Sequence, residues 1–267
     1  MRAPVQAPNT SLSSAAPSLV IQRTAGRRLN VNDVLQATLD KLIQSRSLSN
    51  PAMNALMSDY ILFHVVRVVA GGLLMVLFVL LSRFFWIRWK RLPRSDERKW
   101  TFERKTYFAF GILSTVVGLL IAFVVVVNAA TVLHPWPGFS WLVDSLKTPK
   151  TGTHMDKLYQ AFNTWLQTGS PSIPPLIQQR IQERIAVHTT RVIVGGILLV
   201  AFAVLSKSIW STLVKRSRAR EPQWTLKEGS LLVCGAASVT LSLVLMVIVE
   251  VNLRWAFAQL TVTLLNG

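Results

Sequence analysis

The chain has 267 residues, 51% of them hydrophobic, with a mean hydropathy of +0.40 and a formal net charge of +17. Its apolar residues are gathered into four blocks with the charges held between them, a pattern that excludes an ordinary soluble core and fits membrane spans. The single cysteine, Cys234, excludes an intrachain disulfide and a Cys/His zinc pattern.

Residues 1–32 contain no Asp or Glu and carry Arg2, Arg23, Arg27 and Arg28 among Ser, Ala and Pro. This basic tail has the composition of a mitochondrial presequence and equally of a disordered arm. It has no apolar core of the kind a secretory signal needs.

From residue 33 onward the chain repeats itself at an offset of 124. His64, Arg67, Gly71, Gly72, Leu81, Ser82 and Trp86 recur as His188, Arg191, Gly195, Gly196, Leu205, Ser206 and Trp210. The match runs on without a gap through Gly111 and Gly235, Ser114 and Ser238, and Asn128 and Asn252. The pattern predicts an all-α membrane protein of four transmembrane helices. They are built from two parallel two-helix repeats, 33–130 and 156–253, each preceded by an amphipathic helix outside the bilayer.

Each repeat opens with that amphipathic segment, 33–45 in the first copy and 156–167 in the second. Val34, Leu35, Leu39 and Leu42 fall at helical spacing, and Asn32 or Asp33 is placed to cap them. Leu158, Phe162 and Trp165 form the stripe of the second copy. A polar turn then ends in Pro51 or Pro175, which suits the first turn of a helix. Met53, Met57 and Ile61, like Ile177, Ile181 and Ile185, are spaced by four, so a helix is predicted to run unbroken from residue 52 to about residue 90.

The spans are predicted at about 62–87, 107–127, 188–214 and 231–251. Each carries about 20 apolar residues, enough to cross roughly 30 Å of hydrocarbon. Basic turns with Pro93 and Pro222 join them in pairs. Because each unit crosses twice, both copies share one orientation, related by a pseudo-twofold along the membrane normal. The connecting segment 131–155, with its aromatic, proline-rich stretch from His134 to Trp141, reads as an interfacial turn. Residues 254–267 read as an amphipathic coda offering Trp255, Phe257, Leu260 and Leu264 to the interface.

Four groups of residues are candidates for function. The repeated His-x-x-Arg pairs, His64/Arg67 and His188/Arg191, lie on one helix face at the outer edge of their spans. Two arginines there suit an anion, a lipid headgroup or a pore mouth; two histidines suit haem. The bland alternative is snorkelling arginines and interfacial histidines. Glu250, the only acidic residue within the spans, is expected to pair with Arg254 four residues on. Gly71, Gly72, Gly195, Gly196, Gly111 and Gly235 are expected at helix–helix contacts, where small residues let backbones approach. Arg83, Trp86, Trp100, Lys207, Trp210 and Trp224 are expected as interfacial anchors, and Asn128 and Asn252 as caps or turns.

No P-loop, GxSxG, HExxH, selectivity-filter motif or dense carboxylate cluster is present in the sequence. The residues therefore suggest a non-enzymatic membrane protein that acts by helix packing, as an oligomer or an accessory subunit of a larger complex. No metal and no cofactor are called for. Its partners would be membrane lipids with anionic headgroups and other membrane subunits, not nucleic acid. An anion channel lined near Arg67 and Arg191 is the second reading, and a haem or quinone subunit using His64 and His188 the third.

Fifteen Lys/Arg lie in or beside the two short basic turns, which places those turns on the cytoplasmic or matrix side. In a Cys234→Ser background, a single cysteine at position 95 should resist an impermeant thiol reagent added from outside. One at position 145 should react. The opposite labelling would reverse the orientation.

Overall fold

The backbone polar groups of a chain in hydrocarbon must be satisfied within each segment, and long helices are the outcome. The computed structural model describes residues 30–46, 49–92, 101–217 and 226–266; among them there are eight helices and no strand. They are α1 (Val31–Gln44), α2 (Pro51–Arg91), α3 (Phe102–Leu133), α4 (Pro135–Asp144), α5 (His154–Thr168), α6 (Pro175–Ser217), α7 (Leu226–Phe257) and α8 (Gln259–Asn266). Four of these, α2, α3, α6 and α7, are long and apolar enough to cross a membrane, and the protein is an integral membrane protein. The N-terminal tail, Pro93, Trp100, Pro222, Trp224 and the basic residues beside them lie outside the described residues.

The spans turn their apolar side chains outward. Leu73, Phe123, Ile197 and Val233 are each about two-thirds exposed on the bundle surface, the arrangement that lipid requires and water forbids. At 41 and 43 residues, α2 and α6 are about 60 Å long, twice the hydrocarbon thickness. Their first four turns therefore project beyond the bilayer and enter a core of the soluble kind. Leu35 and Leu39 of α1, Met53, Leu56 and Met57 of α2, Phe139 and Val143 of α4, and Phe162 and Trp165 of α5 are all buried there. Ile177 and Ile181 of α6 and Leu260 and Leu264 of α8 complete it. The Tyr159 hydroxyl is buried in this core without a hydrogen-bond partner, and burial pushes its pKa up to about 12.

Local chemistry sets the helix ends. Asn50 accepts from the Met53 N–H at 3.0 Å, with Pro51 at the first helical position, and so starts α2. Thr101 and Thr153 cap α3 and α5 in the same way. Gly169, with φ +63°, ends α5 in the left-handed conformation that a side chain disfavours. The start of α1 differs from the sequence expectation. Asn30 stands at the cap without a side-chain bond, while Asn32 is buried and donates to Thr148 Oγ1 at 3.4 Å.

Two segments read as interfacial are structural. The stretch from His134 is not a turn: Pro135 opens α4, whose Phe139, Leu142 and Val143 fill the core while Trp141 stays exposed. Gly138 permits this, because a Cβ there would meet the Tyr60 hydroxyl at 2.5 Å. The C-terminal coda forms α8, which buries Leu260 and Leu264, while Phe257, at the end of α7, is exposed. Apolar burial against a neighbour outcompetes lying on the membrane surface.

Within each hairpin the same contacts recur 124 residues apart. A Cβ on Gly71 would meet Val125 at 2.8 Å, and one on Gly195 would meet Val249 at 2.9 Å. Gly111 carries the Trp86 ring, at 3.3 Å from such a Cβ, and Gly235 carries Trp210 at 3.2 Å. Gly72 and Gly196 depart from the expectation: a Cβ on either meets nothing within 4 Å. A helix presents one face to its neighbour, and the adjacent residue, turned 100°, looks away.

Gly71→Leu and Gly195→Leu should force the hairpin helices apart and destabilise the protein by about 1–3 kcal/mol. Gly72→Leu and Gly196→Leu should be near neutral. Thermal melts in detergent of the four variants check this; equal effects within each pair would refute the assignment.

Candidate functional site

The candidate residues gather at the outer ends of the spans, where the membrane-facing bundle meets the buried core. Their positions follow from helix spacing: His64 and Arg67 share a face of α2, and Asn128 approaches from α3. His64 Nδ1 lies 2.8 Å from Asn128 Oδ1, and His188 Nδ1 lies 2.9 Å from Asn252 Oδ1. Each asparagine spends its amide N–H on the backbone, Asn128 on Val124 at 2.6 Å and Asn252 on Ile248 at 2.7 Å. The amide oxygen can only accept, so the histidine Nδ1–H is the donor. Asn128 and Asn252 are thus neither caps nor turns; they are buried latches that tie α3 to α2 and α7 to α6. Two matched histidines and two matched asparagines, 64 residues apart in each copy, were the sequence signal for this pairing.

The aromatic setting differs between copies. Tyr60 stands edge-on to His64 at 4.7 Å, and Trp255 stands edge-on to His188 at 5.0 Å. The histidines are held in separate hairpins by their own asparagines.

The arginines part company. Arg67 Nε lies 3.4 Å from Glu250 Oε1, an ion pair that joins α2 of the first hairpin to α7 of the second. Glu250 therefore does not take Arg254 as its nearest partner, as helical spacing suggested. Arg254 instead lies over the Phe63 ring, its guanidinium carbon 5.0 Å from the ring centroid. Both guanidiniums flank the same inter-hairpin seam beside the Glu250 carboxylate. Arg191, by contrast, is exposed, and the counterpart of Glu250 in the first copy is Val126, which offers no charge. Arg67 and Arg191 are equivalent in sequence and not in environment.

A further residue escaped the sequence reading. Both oxygens of Asp59, on α2, accept from the start of α8: the Gln259 N–H at 3.0 Å and the Thr261 N–H at 2.7 Å. The carboxylate caps α8, the helix that follows the second repeat, and meets its positive dipole end. At an offset of 124, Gln259 and Thr261 correspond to Pro135 and Pro137, which have no N–H to give. The counterpart of Asp59, Glu183, is turned to Arg180 at 3.1 Å. The paired prolines were the available signal.

At the other end of the spans, the expected anchors Trp86 and Trp210 turn inward. The Trp86 indole N–H donates to Thr115 Oγ1 at 3.2 Å, and Trp210 donates to the Gly235 carbonyl at 3.3 Å. The glycines beneath them leave room for the rings, so packing takes precedence over the headgroups. Arg83 and Lys207 remain exposed, and Arg216 pairs with Glu228 at 2.6 Å.

Comparison with protein-family models, curated proteins and solved structures finds no match.

Asp59→Ala should free α8, at a cost of about 0.5–2 kcal/mol, the usual worth of a helix cap. Asp59→Asn should fall between it and the native protein. Amide exchange of residues 259–266 checks this: unchanged protection in Asp59→Ala would show that the cap contributes nothing.

Proposed function

We propose that the protein is a non-enzymatic integral membrane protein that acts through helix packing, as an oligomer or as an accessory or assembly subunit of a larger membrane complex. The observation that carries this reading is the use made of the polar side chains at the outer ends of the spans. His64 and His188 hydrogen-bond Asn128 and Asn252, Arg67 forms an ion pair with Glu250, and these contacts fix helices. What the spans then present outward is long apolar surface, suited to lipid and to other helices. Its partners in this proposal are membrane lipids, anionic headgroups among them, and other membrane subunits. The bacterial inner membrane is the proposed location, with the mitochondrial inner membrane as the alternative suggested by the basic tail.

The channel reading keeps one supporting observation: Arg67 and Arg254 flank one glutamate, which gives that seam an excess of positive charge. Against it, Arg191 stands apart. The haem reading keeps the Nδ1 hydrogen bond of each histidine, of the kind that orients a ring whose Nε2 binds a metal, but on rings fixed in different hairpins.

Two measurements test the proposal. Native mass spectrometry of protein taken from its own membrane should give a mass above one chain, from further copies or a defined partner; a single chain throughout would refute it. Purified protein in liposomes should show no ion flux. Flux whose anion selectivity falls in the Arg67→Gln, Arg191→Gln double variant would establish the channel in its place.

A further inference from the structure

Toward the basic turns, α3, α6 and α7 line an open groove between the two hairpins, with a volume of about 420 Å³. Its depth is apolar: Phe110 and Leu113 from α3, Leu232 and Val239 from α7, with Trp210 of α6 as the floor. The floor is fixed, since Trp210 meets Phe110 edge-on at 4.8 Å and holds the Gly235 carbonyl through its indole N–H. Ala109 and Ala236 are the small residues that keep the groove open, and both are exposed to it. At the mouth, in the first turn of α3, stands Lys105, exposed and without an ion pair among the described residues.

We infer that this groove binds one anionic phospholipid, an acyl chain lying along Phe110, Leu113 and Val239 and the phosphate meeting Lys105. An apolar cavity that opens into hydrocarbon stays dry and is filled by whatever apolar chain is at hand. Lipid tails are as apolar as the groove, so the tail gives fit and not selectivity. Selectivity comes from the ammonium at headgroup level, which attracts a negative lipid. The second copy cannot form the same site, because Gly229 stands where Lys105 does in the first. The assignment deepens the lipid contact of the proposed function and requires only that the chain sits in a bilayer, whether or not it has a protein partner.

Native mass spectrometry from nanodiscs of equal parts phosphatidylglycerol and phosphatidylcholine, matched in chain length, tests it. The native protein should retain one phosphatidylglycerol in about fivefold preference, the effect of one lysine beside an anionic surface. Lys105→Gln should bring the ratio to about one, while Lys90→Gln, exposed but outside the groove, should leave it unchanged. Ala236→Leu should abolish retention of either lipid, and Thr240→Leu fills the same groove should the first variant fail to fold. Equal retention of the two lipids by the native protein would overturn the site. So would a preference that survives Lys105→Gln, or a second copy bound with no lipid until Ala236→Leu dissociates it. These outcomes are independent of ion flux and of the mass found in the native membrane.

Discussion

A polar atom in hydrocarbon has no water to turn to, and it must find its partner inside the protein. That constraint is met in the hairpins by the histidines, asparagines, Ser82, Thr115 and the two tryptophans. Histidine meets asparagine in each hairpin, and the asparagine amide then bonds its own helix at residue i−4. Ser82 bonds Thr115 at 2.7 Å, Trp86 donates to the same hydroxyl oxygen, and the threonine hydroxyl donates to the Gly111 carbonyl. The His–Asn, Ser82–Thr115 and Trp86–Thr115 bonds join two helices that van der Waals contact alone would leave free to slide, so register follows from polar satisfaction. The glycines make the bonds reachable by letting the helices close.

The hairpins obey one rule internally and different rules toward each other. The latch, the Gly–Val contact and the Trp-on-Gly contact occur in both copies. Between copies, Arg67 has Glu250 and Asp59 has the start of α8, whereas the residues opposite their counterparts are Val126 and two prolines. A duplicated chain is free to diverge at the seam, since only one side of a fused pair has to hold. The consequence is a second hairpin whose Arg191 stands exposed at the level where Arg67 is engaged.

The long helices also belong to two solvents at once. Their outer turns are buried among α1, α4, α5 and α8, with aromatic and aliphatic side chains packed as in a soluble protein. Their middle turns face outward with the same residue types. The outer core locks the tops of the hairpins, where hydrophobic burial has force, and the membrane half depends on close packing, where it has none. Contacts between hairpins are sparser than contacts within them, and the groove lined by Trp210 lies between the two.

The sequence by itself determined the parts whose cause is local. Four apolar blocks, Pro51 and Pro175 at helix starts, and the four-residue spacing of Met53 and Met57 sufficed to draw helices through the membrane into an outer core. Helix periodicity and span length depend on neighbours along the chain, and those are visible in a sequence. Only the tertiary structure decided which side chains meet. It chose Gly71 over Gly72, turned Trp86 from the headgroups to Gly111, gave Glu250 to Arg67, and folded the two supposed surface segments into α4 and α8. Each of these is a competition between a nearby partner and one brought in by another helix. The rotation of that helix, a property of the packed whole, settles which one wins.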